Sequence, residues 1–272
     1  MSETVQEIKQ EMASWWATEI SDISPGSIRL RGHDIQELMS DWDFVSVIGL
    51  MLAQRRPSDI EGRLLNAALV ASVDHGPQAP SIAAARMAAT CGVGLNNAVA
   101  TGVNLLGDTH GGAGQQCVEL LYETEKERAT CGSLSEAAKT VTDRWRAKTK
   151  YLPGFGHRFH PRDPRRDPMI EMLNEAVASG AISGKYLETG LAIERLLSEG
   201  RARPVPMNID GATAIVYAEL GFSAPLARGL FVLARSVGLV AHAWEEMQSN
   251  SRIKGPMPKS ILPSYVGPNP KP

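Results

Sequence analysis

Residues 34–73 read DIQELMSDWDFVSVIGLMLAQRRPSDIEGRLLNAALVASV, and their patterning decides the fold class. From Asp34 to Gln54 the apolar residues Ile35, Leu38, Met39, Trp42, Val45, Ile48 and Leu52 recur mostly at steps of three and four, the period of a helix with one buried face. Pro57 and Asp59 then interrupt, and the pattern predicts a second helix from Ile60 to Val73 packed on the first. Helical patterns recur along the rest of the chain, whereas β-branched alternation appears only briefly, around Ser27 to Arg31. The expected class is therefore all-α. Ser81 to Leu106 is rich in Ala, Gly, Asn and Thr, small residues that suit a close helix–helix or subunit contact. Breaks at Gly107–Gly114, Pro153–Pro168 and Arg203–Gly211 alternate with helical stretches, and loops held by rigid helices are where chemistry is commonly placed.

At 272 residues the chain is long enough for a sizeable core. With 43% hydrophobic and 21% charged residues, it is neither disordered, collagen-like nor a disulfide scaffold. A formal charge of -2 gives no global field toward nucleic acid or an anionic membrane, so neither is an expected partner and any anion site must be local. Cys91, Cys117 and Cys131 are odd in number and form no CxxC pair, which fits a reducing, cytoplasmic setting. The start, MSETVQEIKQEMASWW, is acidic and polar and does not read as a signal peptide. Arg86 interrupts one apolar stretch and Arg228 and Arg235 another, so both read as core helices rather than membrane spans. Six prolines in the last 17 residues predict an extended tail over 254–272 that packs on its own body or a neighbour, or else is a disordered end.

Five of the six histidines fall at element boundaries or on an apolar helix face. His75 lies in Asp74-His75-Gly76-Pro77, where it is either a loop or capping residue or a functional one held by the turn. His110 sits in Gly107-Asp108-Thr109-His110-Gly111-Gly112, whose glycines allow close approach of a ligand and whose Asp108 or Thr109 can cap the next helix. His157 lies in Pro153-Gly154-Phe155-Gly156-His157-Arg158. Around it, Arg144 to Arg166 carries eight Lys/Arg against one acid, Asp163. Such a run is either a polyphosphate site or a solvated basic face. Asp210, in Asn208-Ile209-Asp210-Gly211, reads most simply as an N-cap for the helix from Ala212. Beyond it Arg228, Arg235 and His242 recur at seven-residue steps on one apolar helix face, so Arg235 should meet a carboxylate, either the protein's own or a ligand's. No HxH, HExxH or CxxC motif supports a metal. A GxSxG elbow, a P-loop and a Rossmann fingerprint are equally missing from the sequence.

Taken in order, these segments resemble the citrate synthase superfamily. The resemblance rests on Leu30-Arg31-Gly32-His33-Asp34-Ile35, Asp74-His75-Gly76, Thr109-His110-Gly111-Gly112-Ala113, Pro153 to Arg158 with Asp163-Pro164-Arg165, Asn208-Ile209-Asp210, and Ala234-Arg235-Ser236-Val237-Gly238 with Ala241-His242. It covers roughly residues 28 to 267. Few residues separate Arg31-Gly32 from Asp74-His75, where full citrate synthases carry a long helical stretch. With Asp74-His75-Gly76-Pro77, this looks like the short form seen in citryl-CoA lyase and the carboxy-terminal module of ATP-citrate lyase.

The resemblance implies an all-α fold over 1–272 with large and small lobes, the small one at about 150–225, a site between the lobes, and a homodimer or dimer of dimers. It implies acyl-CoA/2-oxo acid carbon–carbon chemistry: cleavage of citryl-CoA, or citrate or methylcitrate synthesis, with a catalytically silent CoA-binding subunit as the contrasting reading. Asp210 would remove or return the α-proton, His110 would donate to the thioester oxygen, and His157 would polarise the 2-oxo group or take the tertiary hydroxyl proton. His75, Arg165 and Arg235 would hold the oxo acid. Leu152, Pro153, Gly154, Phe155, Gly156 and Arg158 would receive coenzyme A, a substrate rather than a tightly bound cofactor, with the oxo acid or a 3-hydroxy acyl-CoA as the other ligand and no metal. Ser72 stands where many members have another histidine. Where many have Arg-Pro in the tail, this chain reads Lys254-Gly255-Pro256; either Lys254, Lys259 or Arg252 substitutes, or the oxo acid has one carboxylate fewer.

Overall fold

The computed structural model describes residues 3–157, 161–255 and 260–268, with side chains from residue 8 onward. Twelve helices and three short strands are present among them. After α1 (Glu3–Trp15), β1 (Ser21–Ser24), β2 (Ser27–Leu30) and β3 (His33–Asp34) form one antiparallel sheet in the order β1-β2-β3. The β2–β3 turn is Arg31-Gly32, both at positive φ, 48° and 85°, the conformation a two-residue hairpin loop requires. The sequence signal at Ser27–Arg31 found β2; β1 and β3 lack the β-branched alternation that would have marked them.

The stretch read as one helix from Asp34 to Gln54 is two, α2 (Ile35–Asp41) and α3 (Phe44–Ala53). Trp42 is extended, with φ -122° and ψ 139°, and the Asp43 carboxylate accepts from Ser46 N–H at 2.7 Å, capping α3 afresh. The apolar period continues through the break, which is why periodicity alone missed it. α4 (Asp59–Ser72) matches the second expected helix.

The chain then continues through α5 (Pro80–Ala89), α6 (Leu95–Asn104), α7 (Ala113–Cys131), α8 (Leu134–Arg146), α9 (Arg166–Ala178), α10 (Lys185–Ser198), α11 (Ile209–Glu219) and α12 (Ala224–Gln248). Contacts divide it into two compact units, residues 1–68 with 115–227, and residues 69–114 with 228–272. The stretch 150–225, expected as a small lobe, lies wholly within the first unit.

In the first unit α11 is the central helix. Ile209 and Gly211 to Ala218 are all buried, and no charge interrupts the segment between Asp210 and Glu219. α9 and α10 pack on α11, and α8 packs on α10. Gly190 makes the α10–α11 approach possible, since a Cβ there would lie 2.6 Å from Ile215 Cδ1. In the second unit, Ile82 and Ala85 of α5, Ala98 of α6, and Leu239 and Ala243 of α12 form one apolar cluster. The small-residue stretch thus makes an α5–α6 helix pair, with Gly102 so close to Leu239 that a Cβ would lie 2.5 Å from its Cδ2. By length and composition α12 could cross a bilayer; Leu230, Ala234, Leu239 and Ala243 on it are buried in the core, while Leu233, Val237, Val240 and Trp244 are exposed.

Beyond α12, the described residues of the tail form no helix or strand. Its backbone is tied to the end of α5 by Ile253 N–H to Thr90 O at 3.2 Å and Lys254 N–H to Thr90 Oγ1 at 2.9 Å. Further on, Ile261, Leu262, Tyr265 and Val266 are exposed.

Candidate active site

The sequence-identified residues fall into two groups, His75, His110 and Arg235 in the second unit and His157, Arg165 and Asp210 in the first.

In the second unit, His110 ends a tight turn closed by Gly107 N–H to His110 O at 2.9 Å. Gly112 is required there because a Cβ would lie 2.6 Å from Asp108 O, and Gly111, at φ 94°, leaves room for Phe231. These glycines therefore close the turn and admit Phe231, and Asp108 is drawn to Arg228. The His110 ring faces the start of α5: Ser81 N–H donates to Nε2 at 3.1 Å, and Ser81 Oγ lies 2.9 Å from the same nitrogen. An Nε2 that accepts from an amide carries no proton, so the ring hydrogen of neutral His110 is on Nδ1, which is left to donate. Burial, then the Arg235 guanidinium and His75, holds the His110 pKa below the usual 6.5. Folding thus favours neutral His110; the linked stability is complete above pH 6.5 and is lost as pH falls through that value toward the depressed one. An NMR titration of the His110 Cε1–H should give a midpoint below 6.5, and a midpoint at or above it would remove the neutral-donor assignment.

Arg235 is buried, donates Nε to Ser72 O at 3.1 Å, and lays its guanidinium 4.9 Å from the Phe231 ring centroid. Phe231 thereby joins the Arg235 face of α12 to the His110 turn. Ser72 contributes its carbonyl here, a role its side-chain identity does not reveal.

In the first unit the loop 152–157 is stapled to the segment that starts α11. Asn208 N–H donates to Gly154 O at 3.0 Å, Asn208 Nδ2 to Gly156 O at 2.7 Å, and Gly156 N–H to Pro206 O at 2.8 Å. Gly154 and Gly211 allow this contact: a Cβ on the first would lie 2.9 Å from Gly211 Cα, and one on the second 2.5 Å from Gly154 O. Leu152, Pro153, Gly154 and Phe155 are buried, and the Gly154 and Gly156 carbonyls are already engaged; Arg158 lies outside the described residues.

Asp210 is not the N-cap expected from sequence. Asn208 caps α11, its Oδ1 accepting from Gly211 N–H at 3.2 Å, and Asp210 sits in the first turn, where the helix N-terminus favours a carboxylate. Burial, then the charge of Asp210, pushes the Cys117 thiol far up, so Cys117 is an inert wall beside the carboxylate.

Asp163, which sequence reasoning noted only as the lone acid of a basic run, is the hub of this group. Its buried carboxylate accepts from Arg165 N–H and Nε at 3.1 and 3.0 Å, from Arg165 Nη2 at 3.0 Å and from Ile209 N–H at 3.2 Å, with His157 Nε2 at 3.9 Å. Burial alone would raise its pKa; the Arg165 bonds and charge and the Ile209 amide outweigh that and hold it below the usual value. The basic run is in part internal structure: Arg144 pairs with Glu127, Arg162 with Asp167, Arg165 with Asp163, and Arg166 with Asp167 and Glu194. Arg146, Lys148 and Lys150 remain exposed. In the tail, Lys254 Nζ is bound to both oxygens of buried Glu246 at 3.0 and 2.9 Å, which commits the cation beside Gly255 to a structural pair. Among the described residues no three His, Cys, Asp or Glu side chains converge as a metal cluster.

Residues 51–257 match the family model described as citrate synthase, C-terminal domain. Citryl-CoA lyase from Hydrogenobacter thermophilus is similar in structure, with a TM-score of 0.82 at 29% identity, covering 94% of this chain and 96% of that one. A citrate synthase of Acidithiobacillus ferridurans is 29% identical over 212 residues, 76% of this chain and 52% of that protein. ATP-citrate synthase subunit 1 of Sordaria macrospora is 29% identical over 210 residues, 72% of this chain and 30% of that protein. The chain spans about half or less of the length of these two curated relatives.

Proposed function

The chain belongs to the citrate synthase family, and from that premise we propose that it cleaves citryl-CoA to acetyl-CoA and oxaloacetate. The observation that carries this choice is the near end-to-end likeness to a citryl-CoA lyase of similar extent, where the citrate synthase relative is matched over only about half its length.

In this reading His157 takes the proton of the tertiary hydroxyl as the carbon–carbon bond breaks and the 2-oxo group forms. The Asp163 carboxylate, 3.9 Å away, stabilises the positive charge arriving on the imidazole. The electron pair of the broken bond moves into the thioester, generating an enolate whose oxygen receives the Nδ1–H bond of neutral His110. That contact strengthens as charge develops, the condition for lowering a barrier rather than only binding. Asp210, protonated at this stage, returns a proton to the carbon and completes acetyl-CoA. Its carboxylate and the protonated His157 then re-equilibrate through solvent. Arg165, held in register by three bonds to Asp163, and Arg235, held by Ser72 and Phe231, present guanidinium groups suited to the oxo acid's carboxylates, with His75 on its oxygens. Coenzyme A binds as the thioester, with the exposed Arg146, Lys148 and Lys150 as the cations available to its phosphates.

The test is to supply purified protein with citryl-CoA and follow oxaloacetate through malate dehydrogenase and NADH, while quantifying acetyl-CoA and free CoA. Oxaloacetate and acetyl-CoA in equal amounts are expected. Citrate with free CoA would replace the proposal by the synthase reading, which the citrate synthase relative supports, and no consumption of citryl-CoA would overturn both.

A further inference from the structure

One face of α12 is built to hold the short segment that carries His75. Arg235, Gly238 and His242 recur at steps of three and four, so they share that face. Arg235 Nε donates to Ser72 O at 3.1 Å. Gly238 lets the backbone at Val73 approach so closely that a Cβ would lie 2.3 Å from Val73 O. His242 Nε2 lies 3.2 Å from Asp74 Oδ1, and the other oxygen of Asp74 accepts from Gly76 N–H at 3.1 Å, closing the turn around His75 with Gly76 at φ 84°. Burial would raise the Asp74 pKa, but the bonds from Gly76, His242 and the His75 backbone hold it below the usual value.

The orientation of His242 is fixed from its other side. Arg86 Nη1 lies 2.9 Å from Nδ1, and a guanidinium can only donate, so Nδ1 accepts and Nε2 carries the hydrogen given to Asp74. Arg86 is itself clamped by Glu245 at 2.7 Å and by buried Glu246 at 2.6 Å. Glu246 also holds Lys254, so Arg86 is anchored in the second unit by charged pairs.

We infer that His242 is a positioning residue for substrate binding, which holds the Asp74-His75-Gly76 turn through Asp74 so that the His75 ring is presented to the oxo acid. This rests on the reading above that His75 contacts the substrate. His242 touches no substrate itself, and its effect passes through one neighbour.

The test is a double-mutant cycle read as oxaloacetate binding by calorimetry on the full chain, with KM and kcat for citryl-CoA as the second readout. His75→Ala is expected to weaken oxaloacetate about tenfold or more, the scale of one charged hydrogen bond. His242→Phe, which keeps the ring but neither bond, should cause a similar loss, raise KM more than it lowers kcat, and add nothing in the His75→Ala background. His242→Gln, whose amide can both accept from Arg86 and donate to Asp74, should restore most of the binding. Asp74→Ala, at an exposed position, cuts the same link from its other end and should reproduce the loss even if His242→Phe folds poorly. Losses that multiply across the cycle, or wild-type binding in His242→Phe or Asp74→Ala, would overturn the inference while leaving the reading of His75 intact. An unaltered protein that does not take oxaloacetate, or a His75→Ala variant that binds it unchanged, would overturn that reading and this inference with it.

Discussion

Asp210→Asn is expected to lower the turnover of citryl-CoA by a factor of about 100 or more, the scale of a lost general acid–base group, with binding of the thioester largely kept. The two side chains are nearly identical in shape, so the change removes the carboxylate's charge and its transferable proton while keeping its volume. The fold should tolerate it because the capping of α11 is done by Asn208, whose Oδ1 holds Gly211 N–H, and not by Asp210. Part of what is lost is the attraction of a carboxylate for the helix N-terminus, about 0.3–1 kcal/mol at an ordinary site. The local field reports the change independently. Asp210 is one of the two causes that push Cys117 up, so the variant thiol should titrate below that of the unaltered protein while staying raised by burial. Full turnover in Asp210→Asn would remove this residue from the proton step. A variant that loses turnover together with cooperative unfolding would assign the carboxylate to structure.

How far such roles can be read from sequence depended on how local their physics is. α4 and the apolar face of α12 were legible because apolar spacing is a property of a single helix, and the family read from six ordered motifs is the one to which the chain belongs. The break between α2 and α3 was not legible. The apolar period runs on through Trp42, and only the capping geometry of Asp43 stops the helix. At Asp210 the dipeptide context suggested a cap, yet a residue two positions earlier took that role, a choice made by which side chain reaches an amide in the folded turn. The basic run looked like an anion site because the partners of Arg144, Arg162 and Arg166 lie outside it in sequence at Glu127 and Glu194, or just after it at Asp167. For buried Arg235 the contacts include the Ser72 carbonyl and the Phe231 ring, a backbone acceptor and an aromatic face that the identity of neither residue announces. Ser81 was missed because one of its two contacts with His110 is a backbone N–H that every non-proline residue possesses, and the other, its hydroxyl 2.9 Å from the same nitrogen, is brought there only by the fold.

Asp163 shows the same limit at its largest energetic scale. Asp163→Ala is expected to destabilise the first unit by about 3 kcal/mol, near the low end for breaking a buried charge pair because Arg165 keeps some access to water. The carboxylate side chain is fully buried and Arg165 is 29% exposed. Alanine would leave the guanidinium, its backbone N–H and the Ile209 amide without the acceptor they share, and the Ile209 amide belongs to the first turn of α11, next to Asp210. The effect should therefore be felt in two measurements. Urea unfolding should show a lower midpoint, and hydrogen exchange at Ile209 N–H should accelerate by roughly two orders of magnitude, the factor that 3 kcal/mol implies. The pH dependence has a definite sign. The folded pKa lies below the 3.8 of an ordinary Asp, so the stabilisation is complete above that value and drains away as pH falls through it toward the depressed folded value. The gap between Asp163→Ala and the unaltered protein should accordingly be constant near neutrality and narrow below about pH 4. A gap that stays constant into acid would mean that the cost comes from the lost packing of the side chain and not from its charge. In that case Asp163 would not be the electrostatic anchor that sets Arg165 and the α11 entrance in register.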